Sequence, residues 1–325
     1  MFRSWKTPLM AAALCTVAFA AQAQQKLVYL FPAADFLPAF APFHIAKAKG
    51  YYKQAGLDVE FQVGKGGADV AKQVAVGNAD MGGGIGDTPI IVRANGLTVK
   101  GVALLGGRTL TAITARKDAN VKSFADLKGK KIGVLAFQDT TYYNLLGVLK
   151  SANLGKDDAN IQAVGPAGVV QLMISGDLQA ISGVPEWTAA IEAAGIAVDV
   201  FDIESVFPAM AQAILASDKI IAERPAAVKG FVNATLKAIR EIMADPEAAS
   251  KAYVAAVPQH AGKEKAMEAI MRRYVTAVYA HKTPADLGKF DAERMAKVQK
   301  FYVDNAIVQT AVPIADTFTN AMIGN

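Results

Sequence analysis

Short apolar segments alternate with helical patterns through the first two thirds of the chain. Residues 27–30 form an apolar run, and residues 57–63 alternate apolar with polar side chains, as a strand with one buried face does. A helical pattern follows each of them, at residues 39–52 and 68–76. Because strands that alternate with helices are typical of largely parallel sheets covered by helices, this pattern predicts an α/β fold.

The same order of strands and helices begins again near residue 131. Gly77 precedes Gly96 by 19 residues and Gly176 precedes Gly195 by the same 19, and a proline opens the intervening helix in both. Gly and Pro punctuate many such units, which leaves coincidence as an alternative, but two similar units favour two domains that face one cleft. The remaining predicted strands lie at residues 80–85, 98–105, 131–135, 161–164 and 180–182. The remaining predicted helices are one that is opened by Pro89 and ends at Gly96, and those at residues 140–152, 168–174 and 185–194.

The C-terminal third of the chain has a different character. From about residue 217, the helix-favouring residues Ala, Lys, Glu and Met dominate. Amphipathic patterns predict helices at residues 225–244, 246–257, 263–279, 286–290 and 291–304. We expect these helices to pack on the outside of an α/β domain.

The first residues have the order of a secretory leader. Arg3 and Lys6 precede the uncharged run at residues 9–21, and Ala21 and Ala23 place small side chains where signal peptidase cleaves. The pattern predicts a signal peptide cut after Ala23 and export to the periplasm. A buried first helix is the alternative.

Composition excludes several classes of protein. The chain has 325 residues, 53% hydrophobic and 19% charged, which excludes a disordered or collagen-like protein. No apolar stretch of about 18 residues follows the leader, so membrane-spanning helices are not expected. The leader carries two basic residues and no acidic one, so its removal lowers the net charge from +5 to +3. Such a small, dispersed charge predicts no nucleic-acid partner.

Cysteine and histidine usage excludes most thiol and metal chemistry. The single cysteine, Cys15, lies in the predicted leader, which leaves the mature chain without a disulfide, a zinc–thiolate site or a cysteine nucleophile. His44, His260 and His281 do not have the spacing of metal ligands. We therefore expect no metal and no cofactor, and the sequence contains no G-x-S-x-G hydrolase element.

Five segments together resemble a known family of binding proteins. They are PFHIAKAKGYY at residues 42–52, AGLDVE at 55–60, VGNADMG at 76–82, ANGL at 94–97 and KSFADLKGKKIGV at 122–134. The chain resembles the solute-binding proteins of ABC importers, in the branch that includes the nitrate, alkanesulfonate, taurine and thiamine-pyrimidine-precursor binders.

The resemblance implies a bilobal binding protein rather than an enzyme. Two α/β domains, mostly parallel sheets flanked by helices, would surround a central cleft, with residues 27–112 plus 212–325 in domain one and 113–211 in domain two. The implied partners are a small-molecule ligand in the cleft and an ABC permease in the inner membrane, and the implied state is a monomer. The domains would close about crossovers at residues 111–114 and 209–213. A related enzyme that forms the thiamine pyrimidine carries a cysteine-rich motif, which the mature chain lacks.

The candidate ligand contacts lie in the loops that follow strands, because open α/β sheets bind ligands at the carboxyl ends of their strands. Small residues in these loops let the backbone approach a ligand, and helix N-termini present free N–H groups. Helix capping and ordinary loop packing are the alternative roles for several of them. The candidates are Asp35, Phe36, Lys65, Gly66, Gly86, Asp87, Thr88, Gln138, Asp139, Thr140, Thr141, Glu186 and Trp187.

The helix start at residues 140–141 bears on the charge of the ligand. In the relatives, a Ser/Thr-rich helix start at this position often holds an anionic head group, and Thr140 and Thr141 fit that role. Asp139 departs from it, because a carboxylate at a helix N-terminus satisfies the free N–H groups itself and repels an anion.

Acids outnumber bases at the predicted cleft. If most of the acids face the ligand, a bare anion is disfavoured and a solute with N–H donors is favoured. We expect a sulfonate or aminosulfonate, or another small nitrogen-containing solute, and the alternative is a thiamine pyrimidine precursor. The acids are Asp35, Asp87, Asp139 and Glu186, and the bases are Lys65 and Arg108.

Overall fold

The computed structural model describes residues 24–137 and 139–324. The predicted signal peptide and Gln138 lie outside these residues. In chain order the strands are β1 Gln25–Phe31, β2 Leu57–Val63, β3 Met81–Ile85, β4 Val99–Leu104, β5 Ala112–Arg116, β6 Lys131–Val134, β7 Asn160–Ala163, β8 Ala180–Gly183, β9 Val198–Asp202 and β10 Gln212–Ser217.

The strands form two five-stranded mixed sheets with the same plan. The first sheet has the order β2-β1-β3-β10-β4, in which β1 runs parallel to β2 and β3, and β10 runs antiparallel to β3 and β4. The second sheet has the order β7-β6-β8-β5-β9, in which β6 runs parallel to β7 and β8, and β5 runs antiparallel to β8 and β9. Strand for strand, β3 of the first sheet therefore corresponds to β8 of the second.

Helices cover both sheets. The longest, α9, begins with a proline at its first position, where the missing N–H costs nothing. The helices are α1 Ala41–Ala48, α2 Tyr51–Gln54, α3 Gly67–Ala75, α4 Thr88–Ala94, α5 Thr140–Ser151, α6 Gly165–Ser175, α7 Pro185–Ala193, α8 Asp218–Glu223, α9 Pro225–Ala244, α10 Pro246–Ala256, α11 Glu264–Tyr274, α12 Ala292–Asp304 and α13 Ile314–Thr317. A π-helical turn, Val275–Tyr279, continues directly from α11.

A stack of aromatic rings attaches the C-terminal helices to the first sheet. Tyr29 of β1 stacks on Phe43 of α1 at 4.7 Å between ring centroids and on Phe231 of α9 at 4.9 Å. Phe231 also stacks on Tyr52 at 4.8 Å. Because large aromatic side chains dominate core energetics, this stack places α9 on the first sheet although α9 is distant in sequence.

The chain crosses between the two sheets twice, at residues 105–111 and 203–211. The predicted crossovers at 111–114 and 209–213 lie at the C-terminal ends of these connections and extend into β5 and β10. Arg294 of α12 contacts both connections: Nη1 donates to the carbonyl of Gly107 at 2.9 Å and Nε donates to that of Pro208 at 3.1 Å. The same guanidinium pairs with Glu204 at 2.9 Å. One side chain therefore holds the two connections side by side.

The structure corrects three features of the sequence prediction. It contains strands β5, β9 and β10, which the sequence analysis did not predict. The predicted helix at residues 286–290 is wrong, because a single 3-10 turn, Pro284–Asp286, is followed by Gly288 at φ +94°. Gly288 instead forms a β-bridge with Leu104. The predicted helix at 39–52 is also interrupted, because Gly50 has φ +73° and separates α1 from α2.

Elsewhere the predicted elements are present within a few residues of their predicted ends. No helix among the described residues is long and apolar enough to cross a bilayer.

Candidate functional site

The loops after β1, β3, β6 and β8 carry most of the predicted ligand-binding residues. Asp87 and Thr88 follow β3 of the first sheet, and Glu186 and Trp187 follow the corresponding β8 of the second. The two sheets therefore each present a buried carboxylate at the same topological position.

Asp87 is fully buried and only partly satisfied. Its Oδ2 accepts a hydrogen bond from the hydroxyl of Tyr302 on α12, whereas Oδ1 has no hydrogen-bond partner among the described residues. Burial raises the pKa of Asp87 to about 6, and the nearby Asp139 carboxylate adds to the increase. The ring of Tyr143 on α5 lies 5.6 Å from that of Tyr302, so elements of both sheets meet here. A donor placed against Oδ1 would relieve an unpaired buried acceptor.

Asp139 caps its own helix. Its Oδ1 accepts from the backbone N–H of Thr141 at 2.9 Å and from the hydroxyl of Thr141 at 2.7 Å. That hydroxyl in turn accepts from the backbone N–H of Leu135 at 3.1 Å. Burial raises the pKa of Asp139. The donors that would hold an anionic head group at the start of α5 are thus largely occupied, although Thr140 remains half-buried beside them.

Glu186 lies in the first turn of α7 and is 8% exposed. Its Oε2 accepts from the hydroxyl of Tyr274 on α11 at 2.5 Å. Burial raises the pKa of Glu186, which favours its neutral form relative to a carboxyl in water. Asp87 and Glu186 are therefore alike in one respect, since each carboxylate accepts one phenol hydrogen bond from a C-terminal helix.

Trp187 is 9% exposed, and its ring packs on the end of β8. A Cβ added to Gly183 would lie 3.2 Å from the ring, so the glycine makes room for the indole. The sequence contains two tryptophans, Trp5 and Trp187, so Trp187 is the only one that follows residue 23.

The loop after β1 is fixed by side chains from distant elements. The carbonyl of Asp35 accepts from Nε2 of His44 at 2.8 Å, and the carbonyl of Phe36 accepts from the hydroxyl of Tyr253 at 2.5 Å and from Nε2 of His260 at 2.6 Å. Because a carbonyl only accepts, both histidines carry their proton on Nε2. The Phe36 ring is left 39% exposed.

Contacts within the protein explain why Gly86 and Thr88 occupy their positions in the loop after β3. The N–H of Gly86 donates to the carbonyl of Ala211 at 3.0 Å, and a Cβ at Gly86 would lie 2.7 Å from Sδ of Met210. The Thr88 hydroxyl accepts from the N–H of Ile85 at 3.0 Å and closes the turn before α4.

Lys65 and Gly66 belong to the loop between β2 and α3. Lys65 is exposed and borders a surface hollow of about 290 Å³ together with Asp69 and Asn78, and no other predicted residue borders that hollow. The N–H of Gly66 donates to the carbonyl of Pro32 at 2.8 Å. Lys65 is therefore a surface residue of its loop. Asp87, in contrast, lies near enough to Asp139 for that carboxylate to raise its pKa.

Three tyrosines of the site were not predicted from the sequence. Tyr253, Tyr274 and Tyr302 lie on C-terminal helices and bond to residues that are more than 80 positions earlier in the chain. Their helical spacing indicates only buried positions, so no local signal distinguishes them from core residues. No group of three or more potential metal-ligating side chains occurs within residues 24–137 and 139–324.

Comparison with known proteins identifies the family. A family model described as NMT1/THI5 like matches residues 37–249, well over half of the chain. The chain belongs to the NMT1/THI5-like family. This agrees with the resemblance inferred from the sequence motifs.

Relatives within and near the NMT1/THI5-like family carry different names. The chain is 26% identical over 323 residues to the riboflavin-binding protein RibY of Chloroflexus aurantiacus, covering 98% of this chain and 92% of that protein. It is 26% identical over 231 residues to 4-amino-5-hydroxymethyl-2-methylpyrimidine phosphate synthase of Aspergillus parasiticus, covering 67% of each.

A solved structure confirms the predicted fold class. The alkanesulfonate-binding protein SsuA from Xanthomonas axonopodis pv. citri, bound to MOPS, matches with a TM-score of 0.72 and 17% identity, covering 90% of this chain and 98% of that one. This NMT1/THI5-like chain therefore has the fold of the periplasmic binding proteins.

Proposed function

We propose that the protein is the substrate-binding component of an ABC import system. It captures a small nitrogen-containing organic solute between the two sheets and delivers it to a permease in the inner membrane. The observation that carries this proposal is the pair of buried carboxylates, Asp87 and Glu186, at equivalent strand ends of two sheets that share one plan. Names of similar proteins, RibY and SsuA, support a binding role.

The chemistry of the pair favours a ligand with N–H groups. Each carboxylate accepts a single phenol hydrogen bond from another side chain, which leaves acceptor capacity for a ligand donor. Asp139 keeps the facing helix start from attracting an anion, since it occupies the helix N–H groups itself. We infer that the ligand is an amine or a nitrogen heterocycle that stacks near Trp187 and Phe36. The riboflavin and pyrimidine named for the relatives are of the second kind.

An aminosulfonate is the second candidate ligand. Thr140 lies half-buried at the start of α5, and the SsuA structure contains MOPS. A zwitterion could place its ammonium at Asp87 and its sulfonate at Thr140. This candidate keeps the requirement for an N–H donor.

Capture would proceed by closure of two domains. We propose residues 27–112 plus 212–325 as domain one and residues 113–211 as domain two, which close about the two connections that Arg294 holds together. We further propose that the protein acts as a monomer in the periplasm after cleavage behind Ala23.

We propose binding rather than catalysis as the function. A relative named as a synthase is 26% identical to this chain over 231 residues, which are 67% of each chain. The single cysteine of the sequence is Cys15, within the proposed leader, so the mature chain supplies no thiol for a cysteine-dependent reaction. The two buried carboxylates accept hydrogen bonds from the phenols of Tyr302 and Tyr274.

A ligand screen tests the proposal. Thermal unfolding is followed with riboflavin, aminopyrimidines, amines, taurine and alkanesulfonates, because a ligand that binds only the folded protein raises its apparent stability. We expect at least one N–H-bearing solute to stabilise the protein, and Asp87→Asn and Trp187→Ala to weaken its binding in calorimetry. Asp126→Asn, in the exposed capping box that precedes β6 and contains none of the predicted ligand-binding residues, is the matched control. Equal affinity in the wild type and in both site variants, or stabilisation by simple anions alone, would contradict the proposal.

A further inference from the structure

A second cavity lies between the end of β8 and the helical segment that continues α11, beside the predicted residues Glu186 and Trp187. Its volume is about 320 Å³, at the lower end of the range of small-molecule sites. Three parts of the chain surround it: the connecting segment at residues 108–112, the strand ends and first turn at residues 183–185, 188, 200 and 202, and the helical segment at residues 273, 276 and 277. None of the thirteen residues predicted from the sequence borders it.

The helical wall of this cavity is the junction between α11 and the π-helical turn. The π turn begins at Val275, directly after α11, and its wider spacing shifts Thr276 and Ala277 onto the cavity. Single π turns within helices are frequent at functional sites. The backbone N–H of Arg108 donates to the carbonyl of Val278 at 3.1 Å, so the connecting segment is fixed against the same turn.

Two arginines border the cavity, and both have unused donors. Arg108 donates through Nη2 to Asp202, and Arg273 donates through Nη2 to Glu192 at 2.6 Å. A guanidinium has five N–H groups, and the side-chain hydrogen bonds of the described residues engage one nitrogen of each arginine. Nη1 of Arg273 is buried without a hydrogen-bond partner among these residues. A buried donor of this kind needs an explanation, such as an acceptor that binds there.

The rest of the lining is mostly apolar. Leu110, Ala112, Val184, Pro185 and Val200 form the walls, and Asp202 is the one acidic residue among the lining residues. Two cationic side chains beside an apolar wall match a molecule with a negative end and a compact apolar body. Guanidinium recognises carboxylates and sulfonates through charge-assisted hydrogen bonds.

We propose that this cavity is a second binding site, which takes a small organic anion with a single ring or a short branched chain. Its carboxylate or sulfonate lies at Arg273 and Arg108, and its apolar body lies against Val184 and Pro185. The site goes beyond the proposed function: its lining contains neither carboxylate of the pair, although Pro185 and Arg273 are the chain neighbours of Glu186 and of its hydrogen-bond partner Tyr274. Its walls come from the second sheet with the adjoining connection and from the helical segment that continues α11, so an occupant favours the arrangement of these two parts that is seen here. It therefore couples to any ligand that favours the same arrangement.

Calorimetry with three probes tests the charge requirement. The probes are 4-bromobenzoate, 4-bromobenzenesulfonate and 4-bromobenzylamine, which share the ring and differ in the charged group. We expect one or both anions to bind and Arg273→Gln to weaken that binding, and the stronger anion shows whether a carboxylate or a sulfonate is preferred. The proposed function allows the amine to bind at the carboxylate pair, so any amine binding should be unchanged in Arg273→Gln. Amine binding that Arg273→Gln weakens as much as anion binding, or binding of neither anion, would overturn the proposal.

Variants on one helix locate the site. Arg273→Gln should weaken anion binding by about tenfold or more, since it removes the charge and the buried donor. Arg272→Gln is the matched control, because Arg272 is the adjacent residue and pairs with Glu268 on the exposed face of α11. Ala277→Leu fills the cavity from an exposed position without changing any charge, and should also abolish binding.

In a crystal soaked with 4-bromobenzoate, the anomalous signal of the bromine atom shows directly where the ligand lies. The proposal expects its anomalous signal between Val184 and Ala277. Equal loss of binding in Arg272→Gln and Arg273→Gln would overturn the proposal, as would unchanged binding in Ala277→Leu or bromine at any other place.

Discussion

Asp87 is expected to lower the stability of the unliganded protein at neutral pH. The folded protein raises its pKa from 3.8 to about 6, mainly through burial. A shift of about two units corresponds to about 3 kcal/mol between the protonated and ionised forms. Because the pKa of an acid is raised, the stability that Asp87 contributes is fully present below about pH 4 and is lost as the pH rises through about 6.

The variant Asp87→Asn should therefore be more stable than the wild type near pH 7.5, by up to about 3 kcal/mol, and equal to it near pH 4. Asparagine keeps an oxygen that accepts from the Tyr302 hydroxyl but cannot ionise. The assay is urea unfolding of both proteins at four pH values between about 4 and 8. The same variant should bind the ligand more weakly, since the ionised acceptor is lost.

Asp126→Asn is a control for which we expect the opposite dependence of stability on pH. Hydrogen bonds from the backbone of Lys122 and Ser123 lower the pKa of Asp126, so its contribution to stability is present above the unfolded pKa and lost as the pH falls. This variant should be less stable than the wild type at neutral pH, and the difference should disappear in acid. If Asp87→Asn is also less stable at neutral pH, Asp87 is a structural carboxylate and the reasoning fails.

Two other substitutions and one fluorescence titration test separate features of the molecule. Arg294→Met removes the donors to Gly107 and Pro208. It should lower the free energy of unfolding by about 2–4 kcal/mol in urea titrations. A loss below about 0.5 kcal/mol would show that the two connections do not depend on Arg294. Gly86→Ala should cost about 1–3 kcal/mol by the same measurement, because the new Cβ meets Met210, and wild-type stability would mean that the packing adjusts. After cleavage behind Ala23, Trp187 is the only tryptophan of the chain, and its fluorescence should change on titration with the ligand; an unchanged spectrum at saturation would place the ligand elsewhere.

Local sequence patterns predicted the elements whose signal is contained in a short window. The alternation at residues 57–63 gave β2 with its observed ends, and the proline-opened amphipathic run gave α9 at residues 225–244. Asp139 was expected to occupy the donors at the start of α5, and the structure has it accepting from Thr141.

Features set by distant partners were not predictable in this way. Strands β5 and β10 are short, and their antiparallel pairing with β8 and β3 joins segments that are far apart in sequence. The predicted helix at residues 286–290 failed because Gly288 pairs with Leu104 at the edge of the first sheet. Tyr302 bonds to Asp87 across 215 positions, so the sequence contains no local signal for the closest neighbour of that carboxylate.

The most direct measurement for the proposed function is a crystal structure with the solute that stabilises the protein most. The account predicts a ligand nitrogen within about 3 Å of a carboxylate oxygen of Asp87 or Glu186, and ligand atoms against the Trp187 ring. A ligand held at the start of α5 by an anionic group alone, with no donor at either carboxylate, would contradict it.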